Sequence, residues 1–171
     1  ERDFTNEYKE MACPIVRVSE AEAPYTSSRY LDIHCIFPDM ELDERFEASY
    51  NFAPTDRYLA SVKECGAEIF LRLGESPEPY EVKTHTRPPK DYVKIARICE
   101  RIIAHYNKGW ANGFNWDMIE WEFWCEPDGV KNCWAGNGEP EDVLREKFIR
   151  LFVTVLKRLK SEFPDIKVGG P

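Results

Sequence analysis

Four short apolar segments recur along this chain at almost constant intervals. IVRV (15–18), AEIFLRL (67–73), IEWEFW (119–124) and IKVGGP (166–171) begin near residues 15, 67, 118 and 166, intervals of 52, 51 and 48 residues. Helical patterns fill the gaps. Thr55 or Asp56 opens a helix carrying Tyr58, Leu59 and Val62, with Gly66 as its closing C′ residue. PPKDYVKIARICERIIAHY repeats apolar residues at spacings of three and four: Tyr92, Ile95, Cys99, Ile102 and Tyr106. Pro140 starts the longest helix, with Leu144, Phe148, Leu151, Val155 and Leu159 on one stripe. Phe4, Tyr8 and Met11 suggest one further helix at the start. LDIHCIF (31–37) reads as a second extended piece, followed by an acidic loop from Pro38 to Ser49. Strands alternating with helices require crossover connections, and hence a parallel sheet.

Such a sheet is either open and doubly wound or part of a barrel. No Gly-rich phosphate loop follows the early strands, which weakens the nucleotide-binding option. A (β/α)8 barrel normally needs about 250 residues, and this chain has 171. The expectation is therefore an α/β fold of parallel (β/α)8 TIM-barrel type, incomplete, forming one domain over residues 1–171.

Composition narrows the function. At 43% hydrophobic and 13% aromatic the chain can bury a core. Its net charge is -8 and it has no basic run, which argues against nucleic acid or an anionic membrane surface as partner. No stretch approaches the ~20 apolar residues of a membrane span. The chain opens at Glu1 rather than Met, so the lack of a leader carries no information. The six cysteines show no CxxC spacing, and Cys65 and Cys99 fall within helical patterns. That usage leans to reduced thiols and a cytoplasmic compartment, with secretion left open. Three scattered histidines without ligand spacing point away from a metal.

In parallel barrels the reactive groups sit where strands end. WEFWCEPDG (121–129) drops from a strand into a turn with Glu126 at its tip, and Glu75 follows LRLG at the end of the preceding strand. His34 occupies a similar place if residues 31–36 are extended. A glutamate before Pro-Asp-Gly can also be a solvated turn residue. Alternation puts Glu120, Glu122, Trp124 and Glu126 on one face if no bulge intervenes. A buried Glu122 then needs a cation, and Arg17 or Arg72 on the two preceding strands can supply it. Trp121 and Trp124 read as core, whereas Trp134 in the following loop is a candidate platform for a pyranose ring.

FWCEPDG resembles the W-N-E-P motif of clan A glycoside hydrolases. The wider context, YNFAPTDRYLASVKECGAEIFLRLGESPE (50–78), PPKDYVKIA (88–96), WEFWCEPDG (121–129) and FPDIKVGGP (163–171), is similar to family 39, the β-xylosidase and α-L-iduronidase group. The resemblance implies that Glu126 is the general acid/base and that residues 15–18, 67–73, 119–126 and 166–170 correspond to about strands two to five. IHCIFPD (33–39) resembles a family segment that gives a substrate-contacting role to His34 and, less directly, to Asp39. The family's nucleophile is a Glu on the seventh strand, which lies beyond Pro171, so remaining strands are expected from the same or another chain, a homo-oligomer included. Where the family has Asn, this chain has Cys125, and a thiol is a weak donor for a sugar hydroxyl. Parity with Trp121 and Phe123 alternatively makes Cys125 an ordinary buried thiol facing the helices. The implied function is retaining, β-xylosidase-like hydrolysis of a carbohydrate substrate without cofactor, with Glu75, Cys125 and Trp134 as further substrate-binding candidates. A sugar-binding or regulatory barrel that has lost hydrolysis is the alternative.

Overall fold

The computed structural model describes residues 4–19, 30–129 and 131–170. Its strands are β1 (Ile15–Val18), β2 (Glu68–Leu73), β3 (Glu120–Phe123) and β4 (Lys167–Gly169), and its α-helices are α1 (Thr5–Met11), α2 (Ile33–Ile36), α3 (Ala53–Glu64), α4 (Tyr92–Lys108) and α5 (Glu141–Glu162). The strands form one sheet in chain order, β1-β2-β3-β4, and every pairing is parallel. Among the described residues the sheet is open, as expected for a segment of a (β/α)8 barrel.

The alternation of side chains along each strand separates two chemistries. Val18, Ile69, Leu71, Leu73, Trp121 and Phe123 share one face and join the core, together with Leu59 of α3, Ile98 and Ile102 of α4, and Leu151, Val155 and Leu159 of α5. Arg17, Phe70, Arg72 and Glu122 fall on the opposite face by register, since Arg17 pairs with Phe70 and Arg72 with Glu122. A parallel sheet with helices on only one of its sides needs this split.

Local chemistry sets the helix limits. Asp91 caps α4, its Oδ1 accepting from the Lys94 N–H at 2.9 Å. Pro54 lies in the first turn of α3, and Gly66, at φ 85°, follows the helix as the C′ residue. The α3 helix therefore starts at Ala53, ahead of the expected Thr55 or Asp56.

One expectation is corrected here. Residues 31–37 are not extended: Ile33–Ile36 make one helical turn, with Ile36 N–H bonded to Asp32 O and Phe37 N–H to Ile33 O. Ile33, Ile36 and Phe37 are spaced three and four apart and all buried, so this short apolar run satisfies the helical period as well as the extended one. The α1 helix forms, but Phe4, Tyr8 and Met11 are exposed and the helix buries none of its residues. No helix among the described residues is long and apolar enough to cross a membrane.

Candidate active site

The C-terminal ends of β2 and β3 are fastened to each other. Trp124 N–H donates to Leu73 O at 2.7 Å, and Gly74 packs against Trp124 so closely that a Cβ there would lie 2.9 Å from Trp124 Cα. Gly74 also has φ 145°, a conformation side chains disfavour, so glycine is required on both counts. The strand β3 then breaks. It ends at Phe123, and both Trp124 (φ 74°) and Glu126 (φ 32°) take positive φ. This corrects the regular alternation from Glu120 to Glu126, because the direction of Glu126 is set by the kink and not by strand parity. Glu126 is exposed, its carbonyl accepting from Gly129 N–H at 2.8 Å to close the turn. Cys125 is buried at 6% exposure.

On the inner face of the sheet Arg17 reaches across β2 to Glu122 in a two-pronged ion pair, Nε to Oε2 at 2.7 Å and Nη2 to Oε1 at 2.8 Å. Of the two arginines considered for Glu122, it is Arg17 that makes the pair. Arg72, although Glu122 is its register partner, turns instead to the strand end. Its Nη2 meets Asp32 Oδ1 at 3.0 Å and Ser76 Oγ at 2.8 Å, and its Nη1 donates to Glu75 O at 2.9 Å. Asp32 in turn accepts from Ser76 N–H and Oγ. Arg72 and Asp32 are buried, so their charges neutralise each other out of water.

This network sets the geometry of His34 and Glu75. Ile33 N–H donates to Gly74 O, anchoring α2 against the end of β2. Glu75 accepts His34 N–H on Oε1 at 3.1 Å and faces His34 Nδ1 with Oε2 at 2.5 Å. Burial raises the Glu75 carboxyl, to about 7, with the nearby His34 charge opposing it. Burial works against charge on His34, yet its hydrogen bonds to Cys35 and Glu75 outweigh it and hold the imidazolium up to about 10. Asp32, His34 and Glu75 bring three metal-type ligand atoms within 4.8 Å of one another. Asp32, however, is already matched by Arg72, and Glu75 by the ring of His34, so the donor set is occupied by the protein's own cations.

A cleft of about 650 Å³ opens beside these strand ends, lined among others by Glu75, His85, Arg87, Lys94 and Trp124. Its volume is in the range of small-molecule sites. Glu75 lines it, as the sequence suggested. Cys125 and Glu126 adjoin it through Trp124 but are not part of its wall, and His34 and Asp39 are not part of it either. Asp39 is exposed, with Oδ1 bonded to Glu41 N–H at 2.9 Å, and shapes the turn that brings Met40 and Glu41 to the cleft. Trp134 requires correction: it has 0% exposure, its Nε1–H donates to Leu144 O, and its ring packs edge-on to Trp124 and Phe148. A sugar cannot stack on it; Trp134 is core. His105 is also core, stacked on Phe52 at 3.6 Å and bonded to Asp56.

The wall of the cleft depends on Glu78, which nothing in the sequence singles out. Its carboxylate accepts from five donor atoms: the N–H groups of Thr84, His85 and Thr86 and the hydroxyls of Thr84 and Thr86. Partial burial opposes its charge, but these bonds hold the carboxyl down at about 2. The loop thus folded is joined to the segment after β3 by Glu78 N–H to Asn132 O and Ala135 N–H to Thr86 O. It also carries His85 onto His34, the two rings stacked at 3.7 Å and 5°.

No protein-family model matches the chain. It is 26% identical over 146 residues to a beta-xylosidase from Geobacillus stearothermophilus, a match that takes in 80% of this chain and 27% of the relative. The solved structure of a glucosidase from Croceicoccus marinus superposes with a TM-score of 0.76 and 25% identity, over 99% of this chain and 33% of that one. The chain thus spans roughly a quarter to a third of the length of these relatives. Both are glycosidases, and the chain has a glycoside-hydrolase-like fold: a parallel α/β sheet of incomplete barrel type.

Proposed function

We propose that residues 1–171 carry the acid/base half of a retaining glycoside hydrolase site of family 39 type, acting on β-xylosides or related glycans. The observation that carries this reading is the break at the end of β3. Two non-glycine residues of positive φ, Trp124 and Glu126, flank Cys125 beside the cleft. Such backbone costs about 1–3 kcal/mol per residue and concentrates at functional sites.

In this mechanism Glu126 donates its proton to the glycosidic oxygen as the bond to the leaving group breaks, while a second carboxylate forms the glycosyl-enzyme bond. Glu126 then takes the proton of the water that displaces that carboxylate. The two carboxyl groups must lie about 5 Å apart, and the second is proposed to come from barrel strands outside these residues. Those strands would also close over Glu126, which among the described residues faces solvent.

The test is aryl-xyloside turnover by the complete barrel. Glu126→Gln should lower turnover by about 10²–10⁴-fold, the usual contribution of a positioned acid/base, and leave affinity for the intact saccharide nearly unchanged. Equal turnover for parent and variant refutes the role. The second reading, a sugar-binding barrel without hydrolysis, is favoured by Cys125, which places a weak donor where the family has Asn. Saccharide binding with no turnover in the parent would select it.

A further inference from the structure

The resemblance to family 39 implies a sugar-contacting imidazole at His34. In the structure both nitrogens of that ring already face protein groups. Nδ1 is 2.5 Å from Glu75 Oε2, and Nε2 lies 3.4 Å from Cys35 Sγ. His34 is also absent from the wall of the cleft. An imidazole with both edges engaged has little left to offer a hydroxyl.

His85 is in the complementary position. It is exposed and lines the cleft, and its ring nitrogens bond to no other described residue. One ring face rests on His34, so the ring is oriented without spending either nitrogen. Its backbone N–H is one of the five donors held by Glu78, and Thr86, the next residue, is tied to Ala135. A loop residue fixed on both sides, with an unengaged polar edge in a cleft, has the preorganisation that binding residues need.

We infer that His85 is a saccharide-contacting, specificity-determining residue of this site, that Glu78 is its positioning residue, and that its ring exchanges hydrogen bonds with sugar hydroxyls. The inference rests on the carbohydrate reading of the cleft. A ring kept uncharged offers one N–H donor and one nitrogen acceptor, a pair suited to adjacent hydroxyls, each of which can donate and accept. Partial burial, followed by the charge on His34, pulls His85 below its ordinary pKa and favours that uncharged form. His34 on Glu75 then serves as the platform beneath it.

The test measures binding of xylobiose and methyl β-xyloside to the complete barrel by calorimetry. His85→Phe keeps the stacked ring and removes both nitrogens. We expect roughly 3- to 10-fold weaker binding, the loss of one neutral hydrogen bond. Glu78→Ala, which leaves His85 intact but frees its loop, should weaken binding to a similar degree, and His85→Asn, which restores a donor and an acceptor, should recover part of the loss. The melting temperature of His85→Phe should match the parent's. If His85→Phe binds as tightly as the parent, or if neither saccharide binds the parent, the inference is overturned. The acid/base role fails separately: Glu126→Gln would leave turnover unchanged while the His85 effect on binding persisted.

Discussion

Replacing Arg72 with Met removes the buried cation at the end of β2. Arg72 has 0% side-chain exposure and Asp32 2%, at 3.0 Å. Taking away one member of a buried ion pair costs about 3–5 kcal/mol, since the other is left charged in a dry site. Asp32 retains the Ser76 N–H and hydroxyl after the change, which holds the cost near the lower figure. The apolar stem of methionine fills much of the vacated volume, and one penalty disappears with the guanidinium, because Arg72 Nε has no hydrogen-bond partner among the described residues. A net loss of about 3 kcal/mol follows. With a urea m-value of about 2 kcal/mol/M, usual for a small protein, the unfolding midpoint should fall by roughly 1.5 M, read by circular dichroism. The double variant Arg72→Met with Asp32→Leu removes the stranded charge and should recover more than half of the loss. A midpoint shift below about 0.5 M for Arg72→Met would show that Asp32 finds water or another cation, and the reasoning from burial would be wrong.

The pH dependence of stability has a defined sign. His34 has a folded-state pKa raised to about 10 from 6.5, so its contribution is complete below pH 6.5 and is lost as pH rises through 10. Glu75, raised to about 7 from 4.5, acts in the same direction, because the folded state holds its proton longer. Melting temperature should therefore fall steadily from pH 5 to 10, and His34→Asn should flatten the part above pH 7; a parent that is more stable at pH 9 than at pH 6 refutes this. Gly74→Ala should cost at least about 1–3 kcal/mol from its φ alone, with more from the contact at Trp124, measured by thermal unfolding. A neutral result would mean that the β2 and β3 ends can separate. In the complete barrel, Cys125→Asn should raise aryl-xyloside turnover about 10-fold if the residue faces the sugar in the transition state, since 1.4 kcal/mol corresponds to tenfold. No change would assign Cys125 to the core.

The parts of this fold that were legible in the sequence are those where local chemistry and burial agree. β2 and α4 carry period-two and period-3.6 patterns over long enough runs that only one structure satisfies them, and Gly66 marks a helix end by itself. Residues 31–37 fail for a physical reason. Leu31, Ile33 and Cys35 alternate, while Ile33, Ile36 and Phe37 fit a helical turn, and the choice is made by long-range bonds from Asp32 to Arg72 and Ser76. The same holds at the site. Glu75 follows from its place just beyond β2, and the need for a cation at Glu122 from the neighbouring strands, although register alone would select Arg72 and not the Arg17 that makes the pair. Trp134 does not, because its burial is decided by Trp124, Phe148 and Leu144. His85 and Glu78 are invisible to spacing arguments, since the stacking of two rings 51 residues apart depends on a loop folded around one carboxylate.

The two-sided character of β2 also guards the pairing against error. Parallel strands covered on both faces are commonly near-continuous runs of Val, Ile and Leu, in which a slip by one residue exchanges one aliphatic side chain for another. Here the same slip would turn Arg72 and Glu68 toward α3 and α4 and bring Ile69, Leu71 and Leu73 out to the inner face. Exposing three such side chains costs about 1.5–3 kcal/mol each, and the misplaced arginine would lose Asp32 and Ser76 as partners. Misaligned sheets are thus disfavoured by an amount comparable to the whole stability of a typical folded protein, about 5–15 kcal/mol, and a chain that pairs wrongly while folding has a steep gradient back to the native register.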